Sequence, residues 1–425
     1  MRTLFASAWV YRERRLRQED LLIDGDRIAA IGSSIPRHSV DSFVDCSDRF
    51  LVPGFVDVHV HLRSPGFFYK ETVRTGTCAA ARGGYTEVAA MPNVNPVPDS
   101  IEHLNVSLDL FERDARVRVH AVGSITVGQN GGELSDMEKL APHVAGFSDD
   151  GHGVQSESLM REAMRMARAL GKPIMAHCED NAIRANGRVH GGEFARTRRL
   201  PVIPAEAEWR QAERDLRLAK ETGCAYHIQH VSSKETVELV RRAKAEGLSV
   251  TCETAPHYLA LCDDDIQDDG RFLMNPPIRS RKDRESIIEG LADGTIDCIA
   301  TDHAPHTDGE KSRGLMGSAM GIVGLETAFP VLYTQLVLKG KISMERLLAA
   351  MCDAPRALLR EPPGFKPGAQ ADLTILETET PYTIQSKKFA SMGRSTPFDG
   401  WAVRGRAVLT MVRGETIYSE KIIGE

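Results

Sequence analysis

Asp57-Val58-His59-Val60-His61-Leu62-Arg63 places two imidazoles on alternate residues of an apolar run. In a strand every second side chain leaves the same face, so His59 and His61 would project together, about 7 Å apart along the backbone. Rings so placed can converge on one ion, which makes metal binding the first chemistry to consider. A His-x-His pair can also be two satisfied core histidines, so the rest of the chain decides. His177, His230 and Asp302 each stand near the end of another short apolar run, and Asp149 and Asp150 close a further one. Histidines and carboxylates without a cysteine ligand describe a hydrolytic zinc site, because such donors leave a coordination position open for water. Water bound there reaches a pKa of about 7, and two metals roughly 3.5–4 Å apart can share it as a bridging hydroxide. His38, His103, His120, His143 and His190 lack such placement and read as surface or core residues. His227, at an odd spacing from His230, reads as structural.

The elements that must position these residues alternate. Between about Pro53 and Arg360, strand candidates fall at 54–62, 87–91, 118–125, 144–149, 173–178, 225–231, 250–256 and 298–304. Helical periods lie between them, such as Ser158 to Leu170 closed by Gly171 and Val237 to Glu246 closed by Gly247. Eight β/α repeats imply an α/β fold of the closed (β/α)8 TIM-barrel type, in which chemistry sits at the carboxyl ends of the strands. Every polar candidate named above falls at that face. Residues 1–52 and 366–425 have a different texture, short β-type runs with turn signals such as Asp24-Gly25-Asp26, and predict a small β-sandwich built from both termini around a barrel of 53–365.

Composition narrows the function classes. A chain of 425 residues suits a barrel of about 250 residues with a smaller domain. With 42% hydrophobic and 26% charged residues and a net charge of −6, it offers no basic block for nucleic acid or an anionic membrane. No apolar run approaches the roughly 18 residues of a membrane span, and the amino terminus reads as a strand rather than a signal peptide. The eight cysteines form no C-x-x-C pair, which makes reduced thiols and a cytoplasmic location the default. Gly151-His152-Gly153 lacks the third glycine and following acid of a dinucleotide site.

Several stretches resemble the amidohydrolase superfamily and, within it, the class I bacterial dihydroorotases. They are Pro53 to Arg63 with Pro65-Gly66; Lys70-Glu71-Thr72; Met91-Pro92-Asn93; Phe147 to Gly151; Ala176 to Glu179; Ile228 to Ser232; Glu253 to His257; Asn275-Pro276-Pro277; Thr301 to His306; and Gly321 to Thr327. The resemblance implies reversible closure of N-carbamoyl-L-aspartate to L-dihydroorotate in pyrimidine synthesis. It implies two Zn2+ per chain, one held by His59, His61 and Asp302 and one by His177 and His230, bridged by hydroxide and a carboxylate. Many relatives bridge with a carbamylated lysine, but residues 144–150 contain none, so an aspartate must serve; the family pattern favours Asp150 over Asp149. Asp302 is the implied catalytic base. Arg63 would grip the substrate carboxylate through two parallel hydrogen bonds, with Asn93 and His306 completing the clamp. Asn275 and the backbone around Met320 and Gly321 would hold the ring amide, and His61 would also touch substrate.

Ser64 stands where an acidic residue is common in that family, and Met320 where phenylalanine is expected. The nearest rivals are dihydropyrimidinases and allantoinases, whose substrates lack the same carboxylate, and an inactive scaffold for aspartate carbamoyltransferase, which would have lost ligands. The resemblance further implies a homodimer and leaves room for association with aspartate carbamoyltransferase.

Overall fold

The structure is a computed structural model that describes residues 1–420. The last five residues of the expected sandwich segment, 421–425, lie outside the described residues. Eight parallel strands run in chain order around the barrel: Phe55–Val60, Tyr85–Ala90, Arg118–Gly123, Val144–Phe147, Ile174–Ala176, Tyr226–Ile228, Val250–Thr254 and Cys298–Ile299. Each matches one of the eight apolar runs. The ring closes where Val60 bridges His303, with His61 N–H donating to His303 O at 2.9 Å.

The expected helices form for visible reasons. In Glu157–Ala169, Ser156 caps the first turn by accepting from Leu159 N–H. Met160, Ala163, Met164 and Ala167 are buried at i, i+3, i+4 and i+7, a single stripe against the barrel. Gly171 exits at φ +67°, a conformation that costs a side chain and suits glycine. The helix Lys234–Ala245 repeats the buried stripe and the glycine exit, with Val237, Val240 and Ala243 buried and Gly247 at φ +79°, but without a side-chain cap from Ser233.

Strands from both ends of the chain meet in one eight-stranded mixed sheet. The key contact is antiparallel pairing of Phe50–Pro53 with Leu373–Glu377. The Asp24-Gly25-Asp26 turn joins two antiparallel strands, with Asp24 opposite Arg27 and Gly25 at φ +59°. This sheet has its own apolar cluster, including Phe5, Val10, Leu21, Leu51, Leu373 and Val408, apart from the large barrel core. The cysteines are free thiols, and no helix among the described residues is long and apolar enough to cross a membrane.

Candidate active site

The carboxyl ends of the first, fourth, fifth, sixth and eighth barrel strands bring His59, His61, Asp150, His177, His230 and Asp302 into one buried cluster. His61 Nε2 lies 3.0 Å from Asp302 Oδ1, and His59 Nε2 lies 3.6 Å from the same oxygen. Asp150 stands at the centre. Its Oδ1 is 3.4 Å from His59 Nε2 and 3.7 Å from both His177 Nδ1 and His230 Nε2, while Oδ2 is 3.6 Å from His61 Nε2. One carboxylate therefore faces all four imidazoles. Burial raises the Asp150 pKa, but His59, His177 and His230 outweigh it and hold the group well below the usual carboxylate range.

These donors fit a metal ion. His59 Nε2 is fully buried and has no hydrogen-bond partner among the described residues, a costly state for a polar atom unless it has a ligand to meet. His177 Nδ1 and His230 Nε2 point at one another across 2.8 Å, as two lone pairs aimed at a shared cation would. The groups His59, His61, Asp302 and His59, Asp150, His230 each converge closely enough to hold one. Geometry also separates the two candidate bridges. Asp149 accepts from Ile125 N–H at 2.8 Å, Thr126 N–H at 3.1 Å and the Thr126 hydroxyl, so it anchors the loop after the third strand and faces away from the histidines.

The local backbone is unusual at three of these positions. Arg63, His230 and Asp302 take φ of +56°, +35° and +47°. Such conformations cost a non-glycine residue about 1–3 kcal/mol and persist where surrounding bonds overdetermine them. At Asp302 those bonds come from both sides. Asp57, in the first strand, accepts from Thr301 N–H at 3.1 Å and Thr301 Oγ1 at 2.6 Å. His303, next along, closes the barrel against His61 and accepts at Nδ1 from Gly324 N–H at 3.2 Å.

Sequence reasoning missed the carboxylate that orients the first histidine. His59 Nδ1–H donates to Glu253 Oε1 at 2.6 Å, and Glu253 Oε2 meets His227 Nε2 at 3.0 Å. His227 in turn pairs through Nδ1 with Thr251 Oγ1 at 2.8 Å. A metal-ligating histidine nearly always needs such a partner on its other nitrogen. The unassigned acid in Glu253-Thr254-Ala255-Pro256-His257 was the available signal. His257 was likewise passed over; it is buried, its Nε2 has no partner among the described residues, and burial lowers its pKa to about 4.

The expected clamp residues assemble only in part. Arg63 is held by Pro305 O, which accepts from Nε at 3.2 Å, and its Nη2 lies 3.4 Å from His306 Nε2. Among the described residues no carboxylate pairs with this guanidinium. His306 Nε2–H donates to Met320 O at 2.8 Å, and Lys70 Nζ donates to His306 Nδ1 at 3.2 Å. Burial, then Arg63 and Lys70, push the His306 pKa down to about 3, so the ring is neutral. Asn93 meets the histidine cluster directly. Its Oδ1 accepts from His61 Nδ1–H at 2.7 Å and its Nδ2 donates to Asp150 Oδ2 at 3.0 Å, so both polar ends brace metal-site residues. Asn275 Nδ2 lies 3.4 Å from His177 Nε2, and its buried Oδ1 is free to accept from a ring N–H. The backbone at Met320 and Gly321 is largely committed already. Met320 O serves His306, Gly321 N–H donates to Leu273 O at 3.0 Å, and Gly321 O accepts from Lys311 Nζ at 2.7 Å. Glycine is needed there, because a Cβ would meet Ala304 O at 2.8 Å.

Comparison with known proteins agrees with this geometry. A family model described as Dihydro-orotase-like matches residues 48–236. The dihydroorotase of Anoxybacillus flavithermus is 46% identical over 424 residues, 99% of each chain. That of a Geobacillus species is 47% identical over 408 residues, 95% of this chain and 96% of its own. Among solved structures, the L-hydantoinase (dihydropyrimidinase) of Arthrobacter aurescens superposes with a TM-score of 0.88 at 26% identity, covering 100% of this chain and 97% of that one. The dihydropyrimidinase of Brevibacillus agri gives 0.86 at 22% identity over 99% and 96%, a likeness of fold alone. One fold carries both substrate classes, so it is the near-half identity over the full length that discriminates. The chain belongs to the dihydroorotase family.

Proposed function

We propose that this chain is a zinc-dependent dihydroorotase, interconverting N-carbamoyl-L-aspartate and L-dihydroorotate in pyrimidine synthesis, and that it takes two metal ions per chain, which Asp150 would hold together with the four histidines. The observation that carries the substrate class is Arg63, a part-buried guanidinium beside the histidine cluster with no carboxylate paired to it among the described residues. A partly desolvated charge without a partner is costly, and a substrate carboxylate supplies the partner. Dihydroorotate has that group, whereas a plain dihydropyrimidine does not.

His59, His61 and Asp302 would hold one ion, His177 and His230 the other. When bound, the metals supply an acidified water and polarise the carbonyl under attack. The chain's own residues do the rest. Arg63, with His306 beside it, fixes the substrate by its carboxylate, and Asn275 Oδ1 accepts from a ring N–H. Asp302, held at a strained backbone position, takes a proton from the attacking water and returns it to the ring nitrogen as that nitrogen leaves. Ring closure runs the same steps backwards. Asn93 keeps the His61 ring and the Asp150 carboxylate in register throughout. The reading includes a cytoplasmic location, and a homodimer that light scattering would detect.

The test is metal analysis of the purified protein with an assay of carbamoyl aspartate cyclisation. One to two zinc per chain, with activity lost to chelator and restored by zinc, is expected. Full activity in metal-free protein would overturn the site assignment.

A further inference from the structure

Lys70 is used by none of the chemistry above, yet it sits at the back of the carboxylate clamp. Two turns link it to Arg63, with Phe67 N–H donating to Arg63 O and Lys70 N–H donating to Phe67 O, both at 2.9 Å. Its ammonium is only slightly exposed. It donates to His306 Nδ1 at 3.2 Å, pairs with Glu310 Oε1 at 2.9 Å, and lies within 6 Å of the Phe67 and Tyr69 ring centres. Glu310 is itself fixed, because its Oε2 accepts from Thr307 N–H at 3.0 Å. An ammonium has only donors, so the ring nitrogen facing it must be a bare acceptor. His306 must then carry its single proton on Nε2, the nitrogen beside Arg63.

From this juxtaposition we infer that Lys70 is a positioning residue for substrate binding, keeping His306 Nδ1 unprotonated so that the neutral ring stays seated on Met320 O through its Nε2–H beside Arg63, and adding its own positive charge behind Arg63. The inference rests on the reading that Arg63 and His306 bind the substrate carboxylate. The charged groups facing His306 are Arg63, Lys70, Glu310 and Lys311. Without Lys70, His306 Nδ1 is free to take a proton as pH falls, and the imidazolium then replaces the missing charge. A Lys70→Met enzyme should therefore bind dihydroorotate poorly at alkaline pH and recover as the medium is acidified, while the native enzyme shows no such dependence.

The experiment measures kcat and KM for dihydroorotate hydrolysis in zinc-loaded native, Lys70→Met, Lys70→Arg and Arg63→Met enzymes from about pH 6 to 9. For Lys70→Met, KM should rise roughly tenfold at the alkaline end, the loss of one charge-assisted bond, with kcat within about threefold and the gap closing toward acid. Lys70→Arg should keep the native KM. A Lys70→Met enzyme with native KM at every pH, or with kcat falling as far as KM rises, overturns the inference. If Arg63→Met weakens binding and Lys70→Met does not, only this inference fails; if neither does, the carboxylate clamp itself fails. Should Lys70→Met not fold, nitrogen-15 NMR of native enzyme, with His306→Gln for assignment, reads the tautomer directly. An Nε2–H ring supports the lock, and an Nδ1–H or doubly protonated ring overturns it.

Discussion

Glu253 Oε1 lies 2.6 Å from His59 Nδ1, and its Oε2 lies 3.0 Å from His227 Nε2, so one buried carboxylate on the seventh barrel strand ties a histidine of the first strand to a second histidine on the sixth. Oε1 is also 3.3 Å from His230 N–H, which brings the same group to the second half of the metal cluster. Burial raises the Glu253 pKa, but His59 and His227 overcome it and leave the group below its ordinary value. Removing it should let the His59 ring turn and the wrong nitrogen take the proton. We expect Glu253→Ala to weaken metal affinity by about 10–100-fold, measured by competition with a chromogenic chelator. Unchanged affinity would mean that the contact orients nothing.

The two neighbouring aspartates should separate cleanly. Asp150→Ala removes the carboxylate facing four imidazoles and should abolish both turnover and tight binding of a second metal. Asp149→Ala breaks only the bonds to Ile125 and Thr126, leaving buried N–H groups unpaired. That should cost about 1–3 kcal/mol in urea unfolding while the metal count stays native. Metal analysis showing the reverse pattern would exchange their roles.

Asp302→Asn keeps the size and much of the packing of the group 3.0 Å from His61 Nε2 but cannot accept a proton. Turnover should fall by at least about 100-fold, with metal largely retained through His59 and His61. Near-native turnover would rule Asp302 out as the base.

A pH effect on stability should come from Glu326, which makes no hydrogen bond to the clustered histidines. It is buried, accepts from Ala390 N–H at 2.8 Å and Ser391 N–H at 3.3 Å, and lies 3.3 Å from Arg82 Nε. Burial, only partly offset by Arg82, raises its pKa from 4.5 to about 7. Between those values the folded chain holds a proton that the unfolded chain has released. Its contribution is therefore full below pH 4.5 and is lost as pH rises through 7. Glu326→Gln removes the titration, so the stability of native minus variant should decline between about pH 5 and 8 in urea unfolding. A constant difference would show that Glu326 does not titrate there.

The barrel was legible because its strands are largely buried and read as apolar runs, and because five of them end in a histidine or aspartate that stands out chemically. Strand ends were less legible. The run 298–304 holds only the short strand Cys298–Ile299, since Asp302 turns to positive φ, a conformation that glycine would have advertised and aspartate does not. The four clustered histidines and Asp302 stood out by type and position, whereas the choice of Asp150 over Asp149 came from the family resemblance. Roles that depend on what lies across the barrel did not. Glu253 and His227 acquire theirs from each other, and the Asn93 amide lies between His61 and Asp150, a contact that spacing did not announce. Gly321 resembles a donor for substrate until its N–H is seen donating to Leu273.

The central claim, that a part-buried arginine beside the histidine cluster selects a carboxylated ring, is tested most directly by comparing dihydroorotate with dihydrouracil as substrates for native and Arg63→Met enzyme. Dihydrouracil has the same ring amide and lacks the carboxylate. The native enzyme should strongly prefer dihydroorotate, and Arg63→Met should lose about 2–5 kcal/mol of that preference, a drop of about thirtyfold to several thousandfold in kcat/KM. Equal turnover of both compounds by native enzyme, unchanged in Arg63→Met, would contradict the account and place the activity with the dihydropyrimidinases.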